Sequence, residues 1–357
     1  MAFYDEEDFD YSLTLPSTIT EYSEAAFDGL GVSALIWNSN KPLSNRQFEE
    51  CDISTENFLL YVKASDLAPS KIKNIIVNDI AEKIVLSNNA PFHCPREFTA
   101  RQISYRKAFR LQTGLNGECA GWETIVLPFD VQNISHATKG VLTPFADFAS
   151  GGSSKPFWLY SYSENGFVKA SSIKANIPYL IAMPHNSSYS SSYDLSGSVT
   201  FSATNTKVLT SYSINVADNE YEFYPSSQGK TFIPSYYYYP AYPQYFVLNR
   251  TEYKDITGTI YPAGSKFFES LFQCSPFEAF FFMEDANVKG FIDIEFADDQ
   301  ETSVNGWINA ENTHQSQDVF TISGQKVKSM LTDEHGIHNS QLPKGIYIIR
   351  GKKIMVK

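Results

Sequence analysis

From about residue 81 onward, the chain consists of short apolar and aromatic segments separated by turn-forming residues. Segments of this kind, spaced about 8–15 residues apart, are typical of antiparallel β domains. Aromatic residues make up 15% of the chain, which also favours strands over helices. The sequence therefore predicts a mainly β protein. Its central domain, residues 81–297, is predicted to be an antiparallel β-sandwich or jelly-roll-like fold.

The predicted strands of the central domain follow this pattern of apolar segments and turns. They cover residues 83–86, 98–109, 123–128, 157–162, 167–170, 179–183, 198–202, 220–224, 245–249, 279–283 and 290–296. The turn Glu164-Asn165-Gly166 between two aromatic segments predicts a hairpin. The stretch 121–131 is predicted to be a core strand, with 277–282 as its companion from the far end of the domain. Helical patterns are limited to residues 22–30, 137–148 and 265–272, the last with Ser265 as an N-cap.

Charge and hydropathy exclude several classes of partner. The formal net charge of −12 disfavours nonspecific binding to nucleic acid or to an anionic membrane. Since no apolar run approaches the roughly 20 residues of a spanning helix, no membrane span is expected. The acidic start of the chain does not have the pattern of a signal peptide.

The four cysteines, Cys51, Cys94, Cys119 and Cys274, are widely spaced and form no CxxC pair. This spacing predicts neither a metal cluster nor a disulfide framework. Two alternatives remain at this point: buried free thiols, or one bridge between Cys94 and Cys119 in an oxidising compartment.

The N-terminal 80 residues contain an imperfect repeat. Phe27 and the pair Leu35-Ile36 recur as Phe48 and Leu59-Leu60, which is a period in the low twenties. The segment LPSTITEYSEAAFDGLGVSALIW resembles the BspA-like leucine-rich repeats of bacterial surface proteins. That resemblance implies that residues 1–80 are the C-terminal part of a repeat array whose start is truncated. The alternative is an ordinary helix and strand packed on the next domain.

Two further resemblances concern the rest of the chain. The block YRKAF…GWETIVLPFDV…PFEAFFF resembles an extracellular β domain of secreted Bacteroidetes proteins, for which no catalytic residues are implied. Residues 298–317 are polar and acidic and are expected to be a linker. Residues 318–357, with GQKV, LPKGIYII and GKKIMVK, resemble the C-terminal sorting domain of the type IX (Por) secretion pathway. This implies a small β-hairpin tail around Arg350-Gly351-Lys352, recognition by the secretion machinery, and a location outside the cell or on the outer-membrane surface.

No catalytic set stands out in the sequence. His335 and His338 have a spacing found in metal sites, but they lie in a polar loop, so no metal is predicted. Asp293 and Glu295 alternate with apolar residues and are expected on the solvent face of an edge strand rather than as a glycosidase pair. There is no G-x-S-x-G, P-loop or dinucleotide-binding glycine motif. The sequence therefore predicts no cofactor and no enzyme activity.

A tyrosine-rich stretch is the candidate ligand site. Its members are Tyr236, Tyr237, Tyr238, Tyr239, Tyr242 and Tyr245, and the prolines between them disfavour a central strand. Exposed tyrosines can stack on sugar rings or bind a protein partner. The alternative is a loop whose tyrosines cover the domain's own core. The predicted function is a non-catalytic cell-surface or secreted adhesion protein that binds a host protein or glycan, with a carbohydrate-binding module as the second hypothesis.

Overall fold

The chain forms a β-solenoid of about five turns, so the predicted β-sandwich or jelly-roll is wrong. The computed structural model describes residues 12–24, 26–27, 29–49, 51, 56–114, 119–148, 153–189, 191–211, 229–238, 243–283 and 290–297, and the backbone of four C-terminal strands. Strand makes up 43% and helix 4% of the structure, which confirms the prediction of a mainly β protein.

The strands are numbered in chain order. The first seven are β1 (Ser12–Leu15), β2 (Ala34–Trp37), β3 (Leu59–Val62), β4 (Asn74–Val77), β5 (Ile80–Ala81), β6 (Ile84–Ser87) and β7 (Phe98–Phe109). The next seven are β8 (Glu123–Ile125), β9 (Asn133–His136), β10 (Gly140–Pro144), β11 (Lys155–Ser163), β12 (Gly166–Lys169), β13 (Tyr179–Ala182) and β14 (Gly197–Val208). Then follow β15 (Lys230–Ser235), β16 (Tyr245–Leu248), β17 (Tyr253–Lys254), β18 (Ile260–Tyr261), β19 (Lys266–Glu269), β20 (Glu278–Met283) and β21 (Phe291–Asp293). The C-terminal strands are β22 (Gln317–Thr321), β23 (Lys326–Met330), β24 (Gly345–Ile349) and β25 (Lys352–Val356), and the short 3-10 helices are Asn45–Phe48, Ser65–Leu67 and Phe145–Asp147.

The first four strands stack in parallel as successive layers of the solenoid. Strand β1 pairs with β2, β2 with β3, and β3 with β4. Leu35 of β2 pairs with Leu60 of β3, and Ile36 pairs with Tyr61. Paired residues of these two layers are thus 25 positions apart in the sequence, one more than the predicted spacing of about 24, and the repeat-like stacking of the segments is confirmed.

Strands β2 and β3 are apolar at every position because both of their faces are covered. In β3, Leu60 and Val62 pack with Leu35 in the core of the N-terminal turns. Leu59 and Tyr61 face the opposite way, into the largest core of the protein. A parallel strand that is buried on both sides has a continuous apolar sequence rather than an alternating one.

Two buried asparagines join neighbouring turns. Asn74 Nδ2 donates to the backbone oxygens of Glu56 and Val85, and its Oδ1 accepts from Val85 N at 2.8 Å. Asn57 Oδ1 accepts from Ser87 N at 2.9 Å, and its Nδ2 donates to Ser87 O at 2.8 Å. Both side chains are fully buried. They supply hydrogen-bond partners to backbone groups that the strand ladder leaves unpaired.

The sheet that begins with β1–β4 continues across the predicted boundary at residue 80. It has 14 strands in the order β1-β2-β3-β4-β5-β7-β14-β9-β10-β11-β13-β8, with β6 added to β7 and β12 to β11. Strands β5 and β6 pair with β7 in parallel, and β10 pairs with β11 in parallel. A sandwich of antiparallel hairpins does not contain such pairs, which form when a coiling chain returns to the same direction.

A second, five-stranded sheet lies in the order β15-β20-β16-β19-β21, and all of its pairs are antiparallel. It shares an aromatic core with β11, β12 and β13 and with Trp122, which precedes β8. In that core the ring of Phe281 lies 4.7 Å from Phe232 and 4.8 Å from Tyr162 and Phe267. Aromatic side chains of this size account for most of the apolar area that the two sheets bury between them.

The stretch 121–131 and its predicted companion 277–282 do meet, but they belong to different sheets. Val126 N donates to Phe277 O at 3.1 Å. Thr124 Oγ1 accepts from Ala279 N at 2.9 Å and donates to Ala279 O at 3.2 Å. A threonine hydroxyl thus joins the 14-stranded sheet to the five-stranded one.

The helical predictions in the described chain are wrong. Residues 265–272 contain β19, because Phe267 packs into the aromatic core while Phe268 lies against Tyr253 on the other face. Adjacent aromatics on opposite faces require a strand. Residues 137–148 contain β10 and one 3-10 turn, and the described part of 22–30 contains only turns. The hairpin at Glu164-Asn165-Gly166 is confirmed by the pairing of Ser163 with Gly166.

The C-terminal strands form an antiparallel sheet of four in the order β23-β22-β24-β25. Ile349 pairs with Lys352, which confirms the predicted hairpin between β24 and β25.

Candidate ligand-binding surface

Three of the six candidate tyrosines are buried. Tyr236, Tyr237 and Tyr245 belong to the hydrophobic cores. The Tyr236 hydroxyl donates to Asn176 Oδ1 at 2.6 Å. Since these rings are enclosed by the protein, they have no free face on which a sugar could stack.

Tyr237 also contacts His93, a histidine whose pKa is lowered. Its hydroxyl lies 2.5 Å from His93 Nδ1, and Ser211 Oγ lies 3.2 Å from the same nitrogen. Burial lowers the pKa of His93 to about 4. This histidine is therefore neutral at physiological pH. Its contacts with Tyr237 and Ser211 hold the tyrosine-rich stretch against the rest of the protein.

Tyr238 is 44% exposed, and its hydroxyl donates to Asn89 O at 3.3 Å. Tyr239 and Tyr242 lie outside the described residues. Among the described members of the tyrosine-rich stretch, Tyr238 alone therefore offers an accessible ring.

The other groups considered from the sequence form ion pairs or lie outside the described chain. Asp293 binds Lys266, and Glu295 pairs with Lys230 at 3.5 Å. His335 and His338 are outside the described residues. Within the described part of the chain, no group of three or more His, Cys, Asp or Glu residues is placed to hold a metal ion.

All four cysteines are free thiols, with Cys94 and Cys274 buried. Burial raises the pKa of Cys94 and of Cys119 to about 11. A thiol with so high a pKa is a weak nucleophile at neutral pH, so neither residue has the character of a catalytic cysteine.

A polar depression, hereafter the trough, lies on the outward face of the two longest strands, β7 and β14. Its volume is about 480 Å³. Its polar lining consists of Lys83, Gln102, Ser104, Gln132, Asn133, Ser202 and Thr204. All but one of these side chains are uncharged amides or hydroxyls.

The strand alternation explains why these side chains meet. In β7, Ile103 and Tyr105 point into the core, so Gln102 and Ser104 face outward. The antiparallel register places Ser202 of β14 beside Ser104, and Thr204 beside Gln102. The result is two neighbouring rows of polar groups on a rigid sheet.

Part of the trough is fixed by hydrogen bonds, and part is available to a ligand. Gln132 Oε1 accepts from Thr204 N at 3.0 Å, and Gln132 Nε2 donates to Thr204 O at 3.0 Å. The Gln132 amide therefore pairs with the backbone of Thr204 as a neighbouring strand would. Gln102, Ser104 and Asn133 make no side-chain hydrogen bond to the described protein atoms, so their polar groups are free for a ligand.

A second concave feature, hereafter the charged cleft, has a volume of about 210 Å³ and lies at the end of β7, next to β8, β16 and β20. Its inner end holds Lys107, whose side chain is only 3% exposed. Lys107 Nζ lies 3.0 Å from Glu123 and 3.8 Å from Glu278. Burial opposes the charge on Lys107, but these carboxylates outweigh it and raise the pKa of the ammonium above its ordinary value.

The two carboxylates of the charged cleft are engaged in ion pairs. Glu278 also binds the guanidinium of Arg250. Glu123 and Glu278 thus neutralise buried or half-buried cations, as expected for an ion network that holds three strands together.

The sequence reasoning missed both concave features, although β7 carried a signal for the second. Ile103, Tyr105, Lys107 and Phe109 share one face of this strand, and three of them are core residues. A lysine at an inward position of an amphipathic strand indicates a buried ion pair.

Comparison of the sequence with protein-family models and with curated proteins, and of the fold with solved structures, gives no match. In the described part of the chain, no helix has the length and apolar character required to cross a membrane.

Proposed function

We propose that the chain is a non-catalytic adhesion protein of the cell surface or the extracellular space, and that it binds a glycan through the trough. The observation that carries this proposal is the pair of outward polar rows on β7 and β14. Repeat architectures present extended surfaces of this kind to large ligands.

The chemistry of the trough fits a hydroxylated, uncharged chain. Amide groups such as those of Gln102 and Asn133 both donate and accept hydrogen bonds, as sugar hydroxyls do. The side chains stand on strands whose other face is anchored in the main core, so little backbone freedom is lost on binding. The formal net charge of −12 disfavours polyanionic ligands.

An extracellular location is supported by resemblance and by architecture. The N-terminal turns stack as a repeat solenoid, which is the arrangement implied by the resemblance to BspA-like leucine-rich repeats. The C-terminal sheet carries the segments that resemble a type IX sorting domain, for which the secretion machinery is the partner. Fractionation of the native host tests this part: recovery outside the cell or on its surface is expected, and recovery in the cytoplasm with an intact tail would refute it.

A glycan array with the purified chain tests the ligand class. We expect selective binding of neutral glycans and a loss of about tenfold or more in the double variant Gln102→Ala, Asn133→Ala. The matched control is Thr99→Ala, Lys207→Ala, a cross-strand pair on the same two strands but outside the trough. Absence of any glycan signal, or equal binding by the trough variant, would refute glycan binding and leave a host protein as the alternative partner.

A further inference from the structure

We propose that the charged cleft is a second binding site, and that its ligand is a small hydroxylated organic acid of the sugar-acid class. The cleft lies at the end of β7 around Lys107 and Arg110, whereas the trough lies around Gln102 and Ser104. The two linings share no residue, and the second site does not depend on the function proposed for the first.

The cationic side of the cleft is formed by two arginines. Arg110 follows the end of β7, is exposed, and has no hydrogen bond or ion pair with the described protein atoms. Arg250 stands on the opposite wall and is oriented by Glu278. A guanidinium is planar and presents its N–H groups in a fork that matches a carboxylate. Arg110 therefore offers the cleft an unused carboxylate-binding group.

The acidic side of the cleft accepts hydroxyl donors. The side chains of Glu123 and Glu278 retain 17% and 14% exposure while they bind Lys107. An ionised carboxylate has several lone pairs, so a group that accepts from one ammonium can accept from a ligand hydroxyl as well. A ligand that carries both a carboxylate and hydroxyls complements the two sides of the cleft at once.

The charge balance favours an anion. Lys107, Arg110 and Arg250 exceed Glu123 and Glu278 by one positive charge, in a chain whose formal net charge is −12. A locally positive cleft in an acidic protein attracts an anionic ligand and loses that attraction as salt is added.

The walls of the cleft are fixed before a ligand arrives. Asn249 Oδ1 accepts from the backbone N–H groups of Ser265 and Lys266 at 2.9 and 3.1 Å. Its Nδ2 donates to Thr251 O and Pro262 O at 3.0 and 2.6 Å. With the side chain of Asn249 saturated in this way, the turn that carries Arg250 has a defined position. Such support keeps the entropy loss on binding small.

The volume limits the size of the ligand. At about 210 Å³ the cleft lies below the range of pockets that hold drug-sized molecules. It suits a single sugar or a molecule of similar size, so the proposed ligand is a monomeric acid or one terminal acidic unit.

The test uses the full chain and three probes: D-glucuronate, its neutral methyl ester, and D-glucose. Calorimetric titration at low salt should show saturable binding of glucuronate, binding at least about tenfold weaker for the ester and glucose, and weakening at high salt. The variant Arg110→Ala should lose about tenfold or more in glucuronate affinity. The matched control Arg101→Ala removes an exposed arginine of the same strand that pairs with Glu82, and it should bind as the wild type does.

The proposal would be overturned by an absence of saturable glucuronate binding, or by equal affinities for the acid and its ester. Unchanged affinity in Arg110→Ala would overturn it as well. Because Gln102 and Asn133 lie outside the cleft, the trough variant should retain glucuronate binding, so failure at one site is distinguished from failure at the other.

Discussion

Asn57 and Asn74 lie in different turns of the solenoid and make equivalent bridges to β6. Asn57 Oδ1 accepts from Ser87 N at 2.9 Å, and Asn74 Oδ1 accepts from Val85 N at 2.8 Å. Both amides also donate to backbone oxygens, and both are fully buried. They connect turns at places where strand pairing alone leaves backbone groups without a partner.

Replacing Asn74 should therefore destabilise the solenoid. Asn74→Ala removes a fully buried amide and leaves the N–H and the oxygen of Val85 without their side-chain partner, which costs about 1–3 kcal/mol in the free energy of unfolding. Urea unfolding measures this loss. Asn133→Ala, at an exposed asparagine, should stay within about 0.5 kcal/mol of the wild type. Equal stabilities of the two variants would contradict the bridging role.

Gly264 should not tolerate a side chain. Its φ is +67°, and a Cβ at this position would overlap the backbone nitrogen and oxygen of Trp122. Gly140 has a similar φ of +81° but open space around it. Thermal or urea unfolding should show a loss of about 1–2 kcal/mol for Gly140→Ala, from the left-handed conformation alone, and a larger loss for Gly264→Ala. Similar losses in both variants would contradict the expected overlap between the added Cβ at position 264 and the backbone of Trp122.

His93 should make stability depend on pH in the acidic range. Its pKa is lowered to about 4 by burial, whereas an unfolded histidine titrates near about 6.5. The unfolded state therefore binds the proton first as pH falls. The stabilising contribution is fully present above about pH 6.5 and is lost as pH falls toward 4. Between pH 7 and pH 5 the wild type should lose more unfolding free energy than His93→Gln, and identical pH profiles would contradict this.

Removing the ammonium of Lys107 should destabilise the protein, because the carboxylates of Glu123 and Glu278 would lose their buried partner. Lys107→Met keeps the length of the side chain but leaves Glu123 and Glu278 without the buried ammonium, which costs about 3–5 kcal/mol. The double variant Lys107→Met, Glu123→Gln removes one of the two unpaired carboxylate charges and should recover part of the lost unfolding free energy. Chemical unfolding of the three proteins provides the measurement, and a double variant less stable than Lys107→Met would contradict the ion network.

Local sequence patterns predicted individual strands well. The pattern of apolar segments and turns predicted a strand at 98–109, which is where the structure has it. The Asn165-Gly166 turn predicted the hairpin of β11 and β12. In both cases the information lies within a few neighbouring residues, because alternation and turn geometry are local properties.

The arrangement of the strands could not be predicted in this way. Short strands with turns between them are common to sandwiches and solenoids, and the difference lies in which strands pair. The parallel pairs of β7 with β5 and β6 are not joined by a hairpin turn, so no local sequence pattern indicates them. The tyrosine prediction had a similar limit. Composition left open whether these rings bind a ligand or cover the core, and burial of Tyr236 and Tyr245 depends on strands that are distant in the sequence.

Hydrogen–deuterium exchange with and without the glycan selected on the array tests the trough most directly. Binding on the outward face of β7 and β14 should slow exchange of the amides in residues 101–106, 132–135 and 198–204, and this protection should disappear in Gln102→Ala, Asn133→Ala. Protection confined to the segment around Tyr238, or no protection at a saturating glycan concentration, would contradict the trough as the ligand site.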